Sequence, residues 1–152
     1  MRTRTLLPFA SALLIAGCVT AASVSMATAD SDASAKTFTP PDGKANLYIA
    51  WSGSSNQKAS FDVSVDGKSV GPIAPGTFYL LAMDPGRHSI TVAARMSSAR
   101  ETLTSEAGKN YFYEVTANST GLMAKPSLGF VLIPEMGKIM VRQNKRAQGA
   151  SE

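Results

Sequence analysis

The sequence predicts an all-β protein, a small antiparallel β-sandwich of about seven or eight strands, with room for a short helix around Pro134 to Arg146. Three observations predict it. Turn signals recur at Asp66-Gly67, Pro75-Gly76, Pro85-Gly86 and Gly108-Lys109, the first three spaced by nine and ten residues, which leaves strands room to form and helices of ordinary length none. Between turns, apolar and polar residues alternate: Phe61, Val63 and Val65 against Asp62, Ser64 and Asp66, the period-two pattern of a strand with one face in the core. Leu47 to Trp51, Phe78 to Met83 and Leu128 to Ile133 are apolar on both faces, and strands of that kind are expected at the centre, covered on two sides.

The elements follow in chain order. Arg2 and Arg4 precede an apolar run from Leu6 to Ala16, the layout of a secretory signal over residues 1–17. At about a dozen residues the run is shorter than the roughly 20 a membrane-spanning helix needs. It ends in Leu14-Ile15-Ala16-Gly17-Cys18, which resembles the lipobox of bacterial lipoproteins. Small residues suit a narrow peptidase site, and Cys18 carries the chain's only thiol, the soft nucleophile that can take a thioether-linked lipid. Cys18 is therefore the expected lipid-attachment residue. Val19 stands where the sorting pattern of Gram-negative lipoproteins has Asp for retention, so the resemblance implies passage to the outer membrane.

Two other readings of the N-terminus stay open. Ala27-Thr28-Ala29 before Asp30 fits the small-x-small site of ordinary signal peptidase, which would discard Cys18 and release a soluble periplasmic or secreted protein. The third is an uncleaved anchor from Leu6 to about Ala29, weakened by Pro8 and many Ser and Thr residues.

Residues 18–42 are rich in Ala, Ser, Thr and Asp, lack periodicity and close in Pro40-Pro41-Asp42, so they read as a flexible tether. The β domain is expected over 43–141. In it Asp66-Gly67 closes a two-residue hairpin, because a type I′ turn needs positive φ at both positions; the return strand runs Lys68 to Ile73. Ile90, Val92 and Ala94, and then Tyr111, Tyr113 and Val115, are expected on inner faces, and Trp51 in the core. Residues 142–152 read as a basic disordered tail.

The formal charge of +4 sits at the ends of the chain. Between Cys18 and Gly137 there are 9 basic and 10 acidic residues and no basic stripe, which argues against a nucleic-acid partner. Lys138 to Arg146 is a basic stretch that either meets anionic lipid head groups or ends in solvent. One cysteine excludes an intrachain disulfide, and one histidine beside it excludes a clustered zinc site. No cofactor or metal is expected.

Catalytic signals are weak. A triad would have to join His88 to Asp84 and a serine, yet no Gly-x-Ser-x-Gly elbow marks one, and Gly53-Ser54-Ser55 reads as loop. His88 is expected to open a strand with its ring half covered. For paired-carboxylate chemistry on glycans, Asp66 is taken by the hairpin and Asp84 by the turn before Pro85, leaving Asp62 alone. Asn118-Ser119-Thr120 is a formal glycosylation sequon, read as chance in a bacterial chain.

The run Val65-Asp66-Gly67-Lys68-Ser69-Val70-Gly71, then Pro75-Gly76-Thr77-Phe78-Tyr79 and Pro85-Gly86-Arg87-His88, is similar to the DUF2846 family of bacterial lipoproteins. The likeness continues through Ala107-Gly108-Lys109-Asn110-Tyr111, Gly121-Leu122-Met123 and Pro134-Glu135-Met136-Gly137. The arrangement also resembles PEGA-type modules of bacterial surface proteins. Both resemblances imply a β module in the cell envelope and neither implies an activity. The expected role is thus a lipid-anchored, non-catalytic module that binds or positions an envelope protein. The alternative is a soluble glycan- or lipid-binding domain using Tyr79, Tyr113 or Trp51 as stacking rings.

Overall fold

A computed structural model describes residues 23–52, 60–120 and 123–150. The strands among them are β1 (Ala45–Trp51), β2 (Phe61–Val65), β3 (Lys68–Ile73), β4 (Thr77–Met83), β5 (Gly86–Ala93), β6 (Ser98–Ser105), β7 (Asn110–Thr120), β8 (Met123–Phe130) and β9 (Lys145–Arg146). Two helices accompany them, α1 (Ala29–Ala35) and α2 (Pro134–Gln143). One sheet has the order β8-β7-β1-β4-β9 and the other β3-β2-β5-β6. The pairs are antiparallel except β1–β7 and β4–β9. The expected sandwich is present, with the helix over 134–143.

Both sheets turn their alternating apolar residues inward. Phe61, Val63, Ile90 and Val92 of the smaller sheet meet Leu47, Ile49, Tyr79, Tyr113 and Val115 of the larger one, and all are buried. Trp51 lies in this core, stacked on Phe61 with centroids 4.7 Å apart.

All seven residues of β1 are buried, because the larger sheet is covered twice. Its far side carries a second core of Ala35, Phe38, Tyr48, Ala50, Phe78, Phe112, Met140 and Val141 beneath α1 and α2. Three layers result: sheet, sheet, helices. This is why Leu47 to Trp51 reads as apolar on both faces.

Turn chemistry behaves as expected. Asp66 (φ 51°) and Gly67 (φ 76°) form the hairpin between β2 and β3, and positive φ at both positions is what a type I′ turn requires. Val63 pairs with Gly71 and Ser64 with Ser69, so Val70 is the extra residue of a bulge. Gly71 (φ 137°) has no room for a side chain, since a Cβ there would lie 2.6 Å from the Tyr79 hydroxyl. That hydroxyl donates to the Pro72 carbonyl at 2.8 Å.

Three expectations need correction. The segment expected as a tether is folded from Ser23 onward. Residues 25–27 run along β9, with Ala27 N–H donating to Arg146 O (3.0 Å) and Gln148 N–H to Ser25 O (2.8 Å). Thr28 then caps α1, and Ala35 and Phe38 are buried. The α1 sequence lacks apolar periodicity because tertiary contacts hold it: Tyr48 donates to Ala35 O (2.8 Å) and Asn110 to Phe38 O (2.9 Å).

The tail is likewise ordered through Ala150. Ala147 is buried, its N–H donates to Phe78 O, and Ala150 N–H donates to Val70 O. Arg146 N–H donates to Asp32 Oδ1 at 2.8 Å, and its guanidinium donates to the carbonyl and hydroxyl of Ser31. Backbone pairing, which composition does not report, orders both ends against each other.

The third correction concerns Leu128 to Ile133. Leu128 is buried, but β8 stops at Phe130 and the chain then turns outward, leaving Leu132 81% exposed and Ile133 56% exposed.

Candidate functional site

Among the described residues two clusters stand out, one polar and one apolar. The first lies at the end of the sandwich where the β2–β3 hairpin meets the start of β5. Asp66 Oδ2 receives His88 Nδ1 at 2.7 Å, and Asp66 Oδ1 accepts the Ser89 N–H at 2.8 Å. The other ring nitrogen, Nε2, lies 2.8 Å from the Asp84 carbonyl oxygen. Ser105 Oγ donates to the same carbonyl at 2.8 Å. Lys44 pairs with the Asp84 carboxylate.

Both ring nitrogens of His88 face acceptors, so both donate, and the imidazolium is the form that satisfies them. The hydrogen bond His88 donates to Asp66 raises the His88 pKa above its ordinary value, outweighing desolvation, with the Asp84 carbonyl adding to the rise. The Asp66 carboxyl is held below the usual range by the His88 bond first and the Ser89 N–H second. Asp84 is lowered by Lys44.

A general base needs a free lone pair on nitrogen, and a nucleophilic serine needs that nitrogen as its acceptor. Here the Ser105 hydroxyl shares the Asp84 carbonyl with His88. The arrangement is a clamp that ties the hairpin to β5 and to the turn before it. His88 is also better covered than half, its side chain being 14% exposed. Asp62 is exposed on β2, away from this clamp's hydrogen bonds.

The second cluster is apolar. Among the described residues seven large apolar side chains are exposed, and five of them, Phe130, Leu132, Ile133, Met136 and Ile139, fall between the end of β8 and the middle of α2. Large exposed apolar groups gathered in one place mark contact surfaces. Pro134 at the first turn starts α2 without a side-chain cap. Gly137, Met140 and Val141 seat the helix on Phe112 and the second core. That leaves Met136 and Ile139 on one flank, while Lys138 and Arg142 lie over the Phe38 ring at 6.0 and 5.2 Å.

Sequence reading missed this surface by treating apolar as buried. The available signal was the spacing of Ile133, Met136 and Ile139, which widens the apolar stripe of α2 beyond what seating it requires.

The stacking rings considered for a ligand are all inside: Tyr79 is 2%, Tyr113 3% and Trp51 4% exposed. A cleft between α1 and the outer face of β1 and β4 is lined by Ser34, Thr37, Asn46, Tyr48, Leu80 and Arg146. Its Tyr48 hydroxyl is committed to Ala35 O, and burial pushes that phenol up to about 12. Cys18, the expected signal over 1–17 and Gly53-Ser54-Ser55 lie outside the described residues.

Comparison with known proteins places this architecture. A family model described as "Protein of unknown function (DUF2846)" matches residues 41–127. The chain belongs to the DUF2846 family. An uncharacterized protein of Haemophilus influenzae (strain ATCC 51907 / DSM 11121 / KW20 / Rd) is 32% identical over 102 residues, 66% of this chain and 59% of that protein. The matched region therefore spans under two thirds of that relative's length. The DUF2846 match runs from just before β1 into β8 and so holds the Asp66–His88 clamp, while α1, α2 and the apolar corner from Phe130 onward fall outside it.

Proposed function

We propose that this DUF2846 protein is a lipoprotein of the bacterial cell envelope, anchored through a lipid on Cys18 to the periplasmic face of the outer membrane. Its body serves there as a non-catalytic module that binds or positions another envelope protein.

The supporting observation is the use the fold makes of residues 25–29. Cleavage after Ala29 would remove the strand segment on β9, the Thr28 cap and the first residue of α1. Cleavage before Cys18 keeps them all. The commitment of His88, Asp66, Asp84 and Ser105 to one another supports a structural use of the chain's only imidazole. Burial of Trp51, Tyr79 and Tyr113 removes the motive for a ring-stacked glycan.

An anchor at Cys18 also fixes a distance. Five residue steps separate it from Ser23, and at about 3.3–3.6 Å per step they reach roughly 17 Å. The leash is short, so the body would work beside the membrane.

Mass measurement of the mature N-terminus tests the anchor. A lipid-modified Cys18, lost in Cys18→Ser, is the expected result, and an N-terminus at Asp30 overturns it. For the binding role, affinity capture from crosslinked envelopes should enrich the same partner repeatedly. Repeated failure to do so would sink that half of the reading.

A further inference from the structure

We propose that the corner formed by the end of β8 and α2 docks onto an anionic phospholipid bilayer, as a second membrane contact independent of the lipid on Cys18. Phe130, Leu132, Ile133, Met136 and Ile139 present 45%, 81%, 56%, 59% and 51% of their surface to solvent. Leu132 and Ile133 stand at the bend between β8 and α2, where Leu132 is the most exposed of these large apolar side chains. Exposed apolar tips suit a bilayer, which accepts them without a complementary shape, better than a protein partner, whose contact must be packed.

Charge selects the kind of bilayer. Between Phe130 and Arg146 there are four basic residues and one acidic residue. Lys138 and Arg142 extend across the Phe38 ring on the flank of α2 opposite Met136 and Ile139, and Lys145 is exposed just beyond the helix. Glu135, the single acid, is paired with Lys138 at 2.7 Å. A helix lying at an interface, apolar on one flank and basic on the other, buries the first among acyl chains and sets the second against lipid phosphates. The rest of the body, from Cys18 to Gly129, holds nine basic and nine acidic residues, so net attraction to an anionic surface is concentrated here.

The test uses the processed protein reconstituted in vesicles containing phosphatidylglycerol, with chain-brominated lipid as quencher. Trp51 is buried against Phe61 and supplies the unquenched background. Leu132→Trp should add emission that is shifted to the blue and quenched severalfold more than the parent. Adding Met136→Asp and Ile139→Asp, both exposed sites, should abolish that quenching while leaving the Trp51 spectrum unchanged. Replacing phosphatidylglycerol by phosphatidylcholine, or Lys138 and Arg142 by Gln, should weaken it.

A chain that starts at residue 18 and carries Cys18→Ser, and so has neither the apolar run of residues 6–16 nor the lipid, should still sediment with anionic vesicles, about tenfold less once Met136→Asp and Ile139→Asp are present. That arm separates this contact from the anchor. Leu132→Trp emission that stays water-like and unquenched on anionic vesicles overturns the proposal. So does loss of quenching together with a doubled mass in solution, which would mean that a second copy covers the corner.

Discussion

At the scale of single residues, Gly137 and His88 have the sharpest consequences. A Cβ on Gly137 would lie 2.3 Å from Phe112 Cγ. Phe112 cannot swing away, because it stacks on Tyr48 with centroids 5.0 Å apart and meets Phe38 edge-on at 6.1 Å. Gly137→Ala should therefore lift α2 and cost about 1–3 kcal/mol, although alanine is the better helix former by about 1 kcal/mol. Gly129→Ala, where a Cβ meets open space, is the control. Urea unfolding of Gly137→Ala, Phe112→Leu and the double variant should show a double cost below the sum of the singles; strict additivity would mean the two groups do not meet.

His88 gives a pH dependence whose sign follows from its partners. Its pKa is raised, so its contribution is complete below the unfolded value of about 6.5 and fades as pH rises through the folded value. The Asp66 pKa is lowered, so its contribution is complete above the unfolded value of about 3.9 and fades as pH falls. Both act together between about pH 4 and 6.5. Lys44 holds the Asp84 carboxylate, and Lys68 adds to the field that lowers Asp66. His88→Ala should cost about 1–2 kcal/mol near pH 5.5 and less near pH 9, read from urea midpoints. A gap that stays constant or widens toward pH 9 would contradict the imidazolium clamp. The clamp itself was not legible in the sequence, since Asp66 and His88 lie 22 residues apart and the third partner is a backbone carbonyl.

At the scale of elements, legibility followed locality. The hairpin of β2 and β3 was readable because alternation and Asp66-Gly67 specify it within a dozen residues. α1 was not, because seven residues of Ala, Ser and Asp carry no apolar stripe. Its stability comes from Thr28, from Asp32 pairing with Lys36, and from Arg146, 114 positions away. A mature chain starting at Asp30 loses the cap, usually about 1 kcal/mol, and the two backbone bonds of residues 25–27 with 146–148. It should unfold at lower urea than a chain starting at Cys18, by about 1–3 kcal/mol. Equal midpoints would mean that residues 25–29 do not stabilise the fold, and would remove the support they give to cleavage at Cys18.

Across the whole molecule, the larger sheet belongs to two cores at once. Leu47, Ile49 and Trp51 of β1 face the smaller sheet, whereas Tyr48 and Ala50 face the helices. The sequence announced a doubly covered strand here without saying what the second cover is, because apolar character on both faces is the same under a sheet or a helix. The opposite ambiguity misled at Leu132 and Ile133, where apolar character marks a surface. Sharing one sheet couples the layers, since neither core survives separation of β1, β4 and β7. Unfolding should then be a single transition: Trp51 emission, which reports the sandwich, and far-ultraviolet helix signal, which reports α1 and α2, should trace the same urea curve. Phe78→Ala removes a fully buried ring from the helix side, should cost about 3–5 kcal/mol, and should move both curves by the same amount. If the helix signal is lost first while Trp51 remains native, the helical layer is a separable cover, and the two cores are energetically distinct.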